Sequence, residues 1–383
     1  MSTTVTLPDG PFTFTGAGSE FVRPGQPFTG RTAYAAAHVV ADPAAENVPG
    51  APAVLDWDAT LRFRRHLWAH GFGVAEAMDT AQRGMGLDYA TTRELIRRSA
   101  CEAGDVGGRI VAGVATDQLP PGPAGLDDIR KAYLEQLEDV REAGATPVLM
   151  CSRHLAATAR SADDYLAVYG DLLGQSDQPV ILHWLGEMFD PALTGYWGST
   201  DVTAAADTVL ALITEHRDRV GGIKVSLLDA DMEIALRRRL PDGVRMYTGD
   251  DFNYPTLIKG DEEGFSHALL GVFAAIAAPA AAALRALDVG DADAYDRIFA
   301  PTVPLARHIF GAPTYYYKTG IVFLNWLAGR QDHPLMVGGL QSGRSPSHLI
   351  ELFRLADAAG VLPDADLAAH RARAWLTTVG VRQ

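Results

Sequence analysis

The sequence predicts a (β/α)8 barrel, because eight short β-like runs alternate with amphipathic helical stretches over most of its length. In the helical stretches apolar residues recur every three or four positions, as at Ile129, Tyr133, Leu137 and Val140. Strands of this length separated by helices favour a parallel sheet, and eight units favour its closure into a barrel. A chain of 383 residues, 48% of them hydrophobic, suffices for one barrel with additions.

Taken in order, residues 1–30 mix Thr, Phe and Val with Gly and Pro, which predicts a short N-terminal β extension. The barrel is predicted over residues 31–280 and a C-terminal helical region over residues 281–383. The predicted strands are residues 32–40, 73–78, 110–115, 146–150, 180–184, 222–227, 245–248 and 264–269. The helices between them are predicted at residues 59–70, 89–103, 126–143, 161–173, 202–218 and 232–239. Beyond residue 280 the periodicity is helical throughout, at residues 280–287, 292–298, 303–310, 318–327, 347–358 and 367–379.

Composition narrows the possible partners. The net charge of −14, from 33 Lys and Arg against 47 Asp and Glu, argues against nucleic acid. Cys101 and Cys151 fit no disulfide scaffold or metal spacing, and the N-terminus has no secretory pattern, so we expect a cytoplasmic protein. The most apolar segment, residues 268–284, is rich in alanine and contains Pro279, which predicts a packed helix and no membrane contact.

Catalytic groups of such barrels lie at the carboxyl ends of strands, where Lys224 is the informative residue. It ends the run Val220-Gly221-Gly222-Ile223, so its ammonium should reach the barrel mouth. Desolvation there lowers the pKa of a lysine and frees a nucleophilic amine that can form an imine with a carbonyl. A lysine that only binds an anionic group fits the same local pattern equally well.

Three motifs in order carry a family resemblance. Gly222-Ile223-Lys224 is followed by Thr248-Gly249-Asp250-Asp251 and then by Gly264-Phe265-Ser266. This order resembles the second half of the dihydrodipicolinate synthase and N-acetylneuraminate lyase superfamily, from about residue 145 to 330. The resemblance implies that Lys224 is the imine-forming lysine of the sixth strand. It also implies that Asp250 and Asp251 shape the seventh strand end, that Ser266 lines the eighth, and that no cofactor is needed.

The chain departs from the family pattern at other strand ends. Where the family has a proton-shuttling tyrosine after the fifth strand, this chain has His183, which becomes the predicted general acid and base. The tyrosine corner of the fourth strand is replaced by a segment that contains Arg153 and His154, predicted to bind a carboxylate, phosphate or sugar hydroxyl. After the second strand, Asp79 and Thr80 stand where the family receives a carboxylate, which favours a neutral polyol or keto-sugar instead.

Two alternatives to a lyase remain open. Glu76, His183, Glu187 and Asp250 all lie at or beyond predicted strand ends, and such oxygen and imidazole sets bind divalent metals in sugar isomerases and epimerases. No sequence spacing typical of a metal site supports that hypothesis. The loss of the tyrosine relay also leaves room for a barrel that binds a sugar without turnover.

The favoured hypothesis is a class I aldolase or lyase of carbohydrate metabolism. We expect it to act on a small oxo compound, a keto-sugar or a sugar-derived oxo acid, through a lysine imine. We expect a small-molecule substrate and a homo-oligomer, either a dimer or a tetramer.

Overall fold

The computed structural model describes residues 3–22 and 24–383, and it confirms the predicted barrel. Eight parallel strands close into a ring in which β10 pairs with both β3 and β9, and the remaining neighbours follow chain order. The barrel strands are β3 (Ala33–Ala36), β4 (Gly73–Glu76), β5 (Ile110–Val114), β6 (Thr146–Leu149), β7 (Val180–Leu185), β8 (Val220–Ser226), β9 (Arg245–Thr248) and β10 (His267–Leu270). The additional β1 (Thr4–Leu7) and β2 (Gly10–Thr13) form a small antiparallel sheet, as expected for the N-terminal extension.

Helices follow the strands along the chain. Before the last barrel strand they are α1 (Trp57–Ala69), α2 (Tyr89–Val106), α3 (Leu126–Glu142), α4 (Arg153–Thr158), α5 (Ala162–Gln175), α6 (Val202–Glu215), α7 (Ala230–Arg237) and α8 (Tyr254–Lys259). After it come α9 (Phe273–Asp288), α10 (Ala292–Phe299), α11 (Thr302–Ile309), α12 (Tyr317–Leu327), α13 (Pro346–Ala358) and α14 (Ala365–Thr378). Many start after an aspartate whose carboxylate accepts a first-turn N–H bond, namely Asp56, Asp88, Asp201, Asp229, Asp291 and Asp364. None of the helices in the described part of the chain has the length and apolarity needed to cross a bilayer.

The chain divides into two compact units. One consists of Arg31–Ala36 and Gly73–Gly271, and it holds all eight barrel strands. The other consists of the described residues up to Gly30 together with Ala37–Phe72 and Val272–Gln383. In this second unit Asp357 of α13 ties down the N-terminal sheet, because its carboxylate accepts bonds from the Thr15 N–H and hydroxyl.

An apolar layer fills the barrel interior. Alternate strand residues point inward, and those of seven strands meet, with Met78, in one buried cluster: Ala36, Ala75, Met78, Val111, Val148, Ile181, Tyr247 and Leu269. Gly222 is needed in this layer, because a Cβ on it would lie 2.6 Å from the Tyr247 ring. The tyrosine therefore occupies the space that the glycine leaves empty.

The eighth strand lies later than predicted. The sequence placed it at residues 264–269, whereas β10 runs from His267 to Leu270. The alanine-rich helix also begins earlier than residue 280, since α9 starts at Phe273 and continues past Pro279. Hydrophobic periodicity does not locate the boundary between β10 and α9, because both elements are buried and apolar and neither has a polar face.

Candidate active site

Lys224 lies on β8 and its side chain is 4% exposed. Its ammonium interacts electrostatically with Asp79, which follows β4, and with Asp251, which follows β9. Since β4 stands directly opposite β8 in the ring, this interaction requires the lysine to reach across the barrel interior. Lys224 is one inward position beyond Gly222, so it lies just above the apolar layer. The structure thus brings Lys224, Asp79 and Asp251 together at the carboxyl end of the barrel.

His183 stands beside the lysine, because the two residues are cross-strand partners on β7 and β8. Its Nε2 lies 3.2 Å from Ser226 Oγ, while the buried Nδ1 has no hydrogen-bond partner among the described residues. Burial lowers the pKa of His183 well below its usual value, and the charge of Lys224 lowers it further. The imidazole is therefore neutral at physiological pH, with one ring nitrogen available to a ligand.

The pKa of Lys224 is lowered by burial, against the raising influence of Asp79 first and Asp251 second. Desolvation disfavours the ammonium, and the two carboxylates recover part of that cost. A lysine in this balance gives up its proton more readily than one in water, so the unprotonated amine is more available for chemistry.

The absence of a side chain at Gly249 leaves space for the Lys224 side chain. A Cβ at this position would lie 2.1 Å from Ser226 Oγ, 2.7 Å from Val225 O and 2.8 Å from Lys224 Cε. No other residue type fits there without moving the strand or the lysine. Ser226 and Gly249 were not singled out from the sequence, because a serine two residues after the lysine and a glycine after the next strand are each common.

Asp79 and Thr80 occupy a short 3-10 helix directly after β4. Thr80 is fully buried and Asp79 is half-buried. The residues on either side of this turn, Ala77 and Gln82, have positive φ values of 51° and 64°, a conformation that non-glycine residues adopt rarely. Such backbone strain persists only where the surroundings impose it, and it is concentrated at functional sites.

Arg83 supplies that restraint, although no motif in the sequence points to this residue. Its guanidinium bonds both carboxylate oxygens of Asp117, at 2.9 and 2.7 Å, and donates to the carbonyl of Gly113 at 2.6 Å. It also bonds Ala77 O and Gln136 Oε1. The turn that carries Asp79 and Thr80 is therefore held by a buried arginine whose ion-pair partner, Asp117, is 25% exposed.

Arg153 and His154 do not join this group. Arg153 is 53% exposed and forms an ion pair with Asp190 at 2.5 Å. His154 has both ring nitrogens occupied, Nδ1 by Thr116 Oγ1 at 2.9 Å and Nε2 by the carbonyl of Pro120 at 3.0 Å. Since a carbonyl only accepts, Nε2 carries the proton.

Asp250 and Ser266 are likewise engaged in other contacts. The Asp250 carboxylate accepts bonds from Phe252 N and from Asn253 N and Nδ2, which closes the turn before α8. Ser266 precedes the first residue of β10 instead of following its last, and its hydroxyl donates to Glu233 at 2.7 Å. The neighbouring Asp251 is the member of this set that interacts with Lys224.

The residues named for a metal do not form a site. Glu76 accepts bonds from Ser99 Oγ and from the adjacent Ala77 N, and Glu187 is exposed. Across residues 3–22 and 24–383, no group of three or more His, Cys, Asp and Glu side chains is arranged to hold a metal ion. The donor set of the isomerase alternative therefore does not converge in this fold.

A chain of tyrosines lies behind the corner after β6, where the family resemblance places its relay. Tyr196 accepts a bond from Ser152 N at 3.0 Å, and its hydroxyl meets that of Tyr169 at 2.9 Å. Tyr133 and Tyr169 both donate to the Met150 carbonyl. Burial raises the pKa of Tyr133, Tyr169 and Tyr196. These hydroxyls form the hydrogen bonds that hold the corner, so the imidazole of His183 is the group beside Lys224 on the neighbouring strand.

Comparison with known proteins gives a family and a fold. The family described as "Protein of unknown function (DUF993)" matches residues 13–381. No curated protein matches the chain.

Among solved structures, the chain is similar to dihydrodipicolinate synthase from Thermotoga maritima, with 13% identity and a TM-score of 0.65 over 87% of this chain and 99% of that one. It is also similar to 4-hydroxy-tetrahydrodipicolinate synthase from Methylacidiphilum fumariolicum SolV, with 15% identity and a TM-score of 0.64 over 90% and 99% of the two chains. A third similar structure is dihydrodipicolinate synthase from Aquifex aeolicus, with 13% identity and a TM-score of 0.63 over 86% of this chain and 98% of that one. These similarities confirm, at the level of the fold, the resemblance that the three motifs predicted.

Proposed function

This chain belongs to the DUF993 family, and from its barrel and its lysine we propose that it is a Schiff-base-forming lyase or aldolase. The supporting observation is Lys224, a buried lysine of lowered pKa beside a neutral histidine with a free ring nitrogen. A desolvated amine next to a proton acceptor is the arrangement that nucleophilic attack on a carbonyl requires.

In the proposed reaction the Lys224 Nζ attacks the carbonyl carbon of the substrate, so a C–N bond forms as the C=O π bond opens. His183 accepts the proton that the nitrogen loses and passes it to the carbonyl oxygen, which gives a carbinolamine. A second proton, taken up from solvent through His183, lets the hydroxyl leave as water. The resulting iminium draws electrons from the adjacent carbon and allows a bond to that carbon to break or form. Hydrolysis then releases the product and restores the amine.

We propose a neutral, hydroxyl-rich oxo compound as the substrate; of the two expected classes this is a keto-sugar and not a sugar-derived oxo acid. Asp79 and Asp251 place two negative charges near Lys224, and a free substrate carboxylate close to them would be repelled. Carboxylates instead accept hydrogen bonds from hydroxyls. Asp79, Thr80 and Asp251 are therefore the proposed hydroxyl ligands, because Asp250 is occupied by its own turn.

Borohydride trapping tests the imine directly. The chain contains four lysines, Lys131, Lys224, Lys259 and Lys318, so peptide mass analysis distinguishes them without ambiguity. We expect ketoses reduced in the presence of the protein to add their mass to the Lys224 peptide, with pyruvate as the carboxylate comparison. Substrate-dependent label on Lys131, which is 78% exposed, or label on none of the four would contradict the proposal.

A second prediction concerns Gly249. We expect Gly249→Ala to lower the rate of imine trapping by at least about tenfold, because the new Cβ displaces the lysine side chain. Gly104→Ala is the matched control, since a Cβ there meets nothing within 4 Å and Gly104 lies in the regular helix α2. Thermal unfolding of each variant separates loss of the fold from loss of the site. The double variant Gly249→Ala/Ser226→Ala removes the collision between the new Cβ and Ser226 Oγ and should recover part of the trapping rate. A trapping rate in Gly249→Ala equal to that of the wild type would contradict the proposed crowding around Lys224.

A further inference from the structure

A second group of buried basic side chains lies outside the candidate active site, in the unit that holds α1 and α9–α14. Three histidines lie around α1: His38 before it, His66 on it and His70 directly after its last residue. The ring of His38 lies 4.2 Å from that of Phe63, Phe63 lies 6.0 Å from His66, and His66 lies 4.7 Å from His70. Arg330, which follows α12, acts electrostatically on all three histidines, and Arg285 of α9 acts on His70. We call these five residues the basic cluster.

The basic cluster has unpaired polar atoms. His66 Nε2, His70 Nδ1, Arg285 Nη1 and His38 Nδ1 are buried and have no hydrogen-bond partner within residues 3–22 and 24–383. His38 Nδ1 is an acceptor, because Nε2 of this neutral ring donates to Gln331 Oε1 at 2.7 Å, so His66, His70 and Arg285 supply the donors. His38 and His70 are 1% and 2% exposed, so water does not reach these rings freely. A buried polar atom without a partner costs free energy, and four of them in one group indicate a missing ligand.

The cluster also lacks a counter-ion. In the described residues, neither Arg285 nor Arg330 forms an ion pair with a carboxylate, and Arg330 Nη1 donates a 3.4 Å bond to Oδ1 of the neutral Asn325. Asp288, one turn after Arg285, uses its carboxylate oxygens on Thr29 N and Gly30 N. Burial alone lowers the pKa of Arg330 to about 10, with no acid opposing it.

The neutral histidines complete the electrostatic picture. Burial lowers the pKa of His38 to about 3, of His66 to about 2 and of His70 to about 4. At physiological pH the two guanidinium groups therefore supply the positive charge, while His66 and His70 can each donate an N–H bond without adding charge. Two cations balance one dianion.

We propose that the basic cluster is a binding site for a dianionic oxyanion such as a phosphate group, separate from the lysine site. Arginine forks match the tetrahedral or planar oxygens of such an anion bidentately, and neutral imidazole N–H groups satisfy the oxygens that remain. Arg285 and Arg330 are partly exposed, which gives the anion a route from solvent. The proposal does not depend on the imine chemistry.

Isothermal titration of the full chain with inorganic phosphate, in a phosphate-free buffer, tests the site. We expect saturable binding to one site per chain in the wild type and in Arg62→Gln, a matched loss of one charge from an exposed position on the same helix α1. Arg330→Gln should weaken phosphate binding at least about tenfold, and Arg285→Gln should do the same. Succinate, run in parallel, should bind if any dianion suffices.

Thermal unfolding provides the second readout. Phosphate at a hundredfold excess over its Kd should raise the wild-type Tm by several degrees and leave the Tm of Arg330→Gln unchanged. Without phosphate, Arg330→Gln should unfold no earlier than the wild type, because it removes a partly desolvated cation that forms no ion pair in the described residues. Should that variant fail to fold, Arg285→Gln provides the same comparison. Absence of saturable phosphate and succinate binding to the wild type, or undiminished phosphate binding in both variants, would overturn the proposal.

Discussion

Replacing Lys224 with methionine is expected to reduce kcat/KM at least about a thousandfold while the protein stays folded. Methionine keeps the length and volume of the lysine stem but has no amine, so imine formation is lost. Steady-state assay with any substrate found by borohydride trapping measures the effect. Lys131→Met, at an exposed helical position, is the control and should retain full activity. Activity that survives in Lys224→Met would rule out the imine mechanism.

The stability of Lys224→Met distinguishes a catalytic from a structural lysine. The folded pKa of Lys224 lies below its unfolded value of 10.5, so at neutral pH the lysine destabilises the fold. We therefore expect the Tm of the variant to equal or exceed that of the wild type at pH 7. The difference should shrink as the pH rises toward 10.5, where the unfolded lysine also loses its charge. A lower Tm for the variant at pH 7 would show that the lysine holds the barrel together.

Arg83→Met is expected to produce the largest loss of stability, about 3–5 kcal/mol in the free energy of unfolding. The Arg83 side chain is 3% exposed, and its removal takes away the guanidinium donors of the Gly113 carbonyl and of the Asp117 carboxylate, which keeps only the bond from Gln136 Nε2 among its side-chain donors in the described residues. Urea unfolding measures the change. Arg93→Met is the control, because Arg93 is 62% exposed in its 2.9 Å pair with Asp139 and should contribute at most about 1 kcal/mol.

The pH dependence and a double variant make the Arg83 prediction specific. Burial would raise the pKa of Asp117, but the charge and hydrogen bonds of Arg83 and a bond from Gln136 hold it below its usual value. A carboxyl with a lowered folded pKa stabilises the fold above its unfolded pKa of 3.8, and this stability is lost as the pH falls further. The difference in the free energy of unfolding between the wild type and Arg83→Met should therefore become smaller as the pH falls below 3.8. Arg83→Met/Asp117→Leu, which removes both partners, should recover part of the loss; no recovery would contradict a pairwise contribution.

The barrel could be predicted because its signal is local. Alternation of short apolar runs with amphipathic helices appears within windows of about 15 residues, and the position of Lys224 after such a run follows from it. The eighth strand was misplaced because no polar face separates β10 from α9.

The hydrogen-bond and ion-pair partners of individual side chains could not be predicted from the sequence, because they depend on contacts between distant segments. His154 meets Thr116 across 38 positions, and Arg83 meets Asp117 across 34. Both contacts arise only when neighbouring strands bring their ends together. Ser226 and Gly249 carry no unusual local signal, and their relevance follows from the collision distances around Lys224. The basic cluster could not be predicted from the sequence either, because Arg330 lies more than two hundred positions from His70.

The apolar layer beneath Lys224 closes the barrel interior on the side of the amino ends of the strands. Tyr247 and its neighbours form the floor below the lysine, so the proposed substrate would approach from the carboxyl ends of the strands. In the proposed imine mechanism the first substrate loses its carbonyl oxygen as water before a second reactant adds, so a condensation at this lysine should follow a ping-pong sequence. Initial-rate plots with two substrates should accordingly give parallel lines rather than intersecting ones.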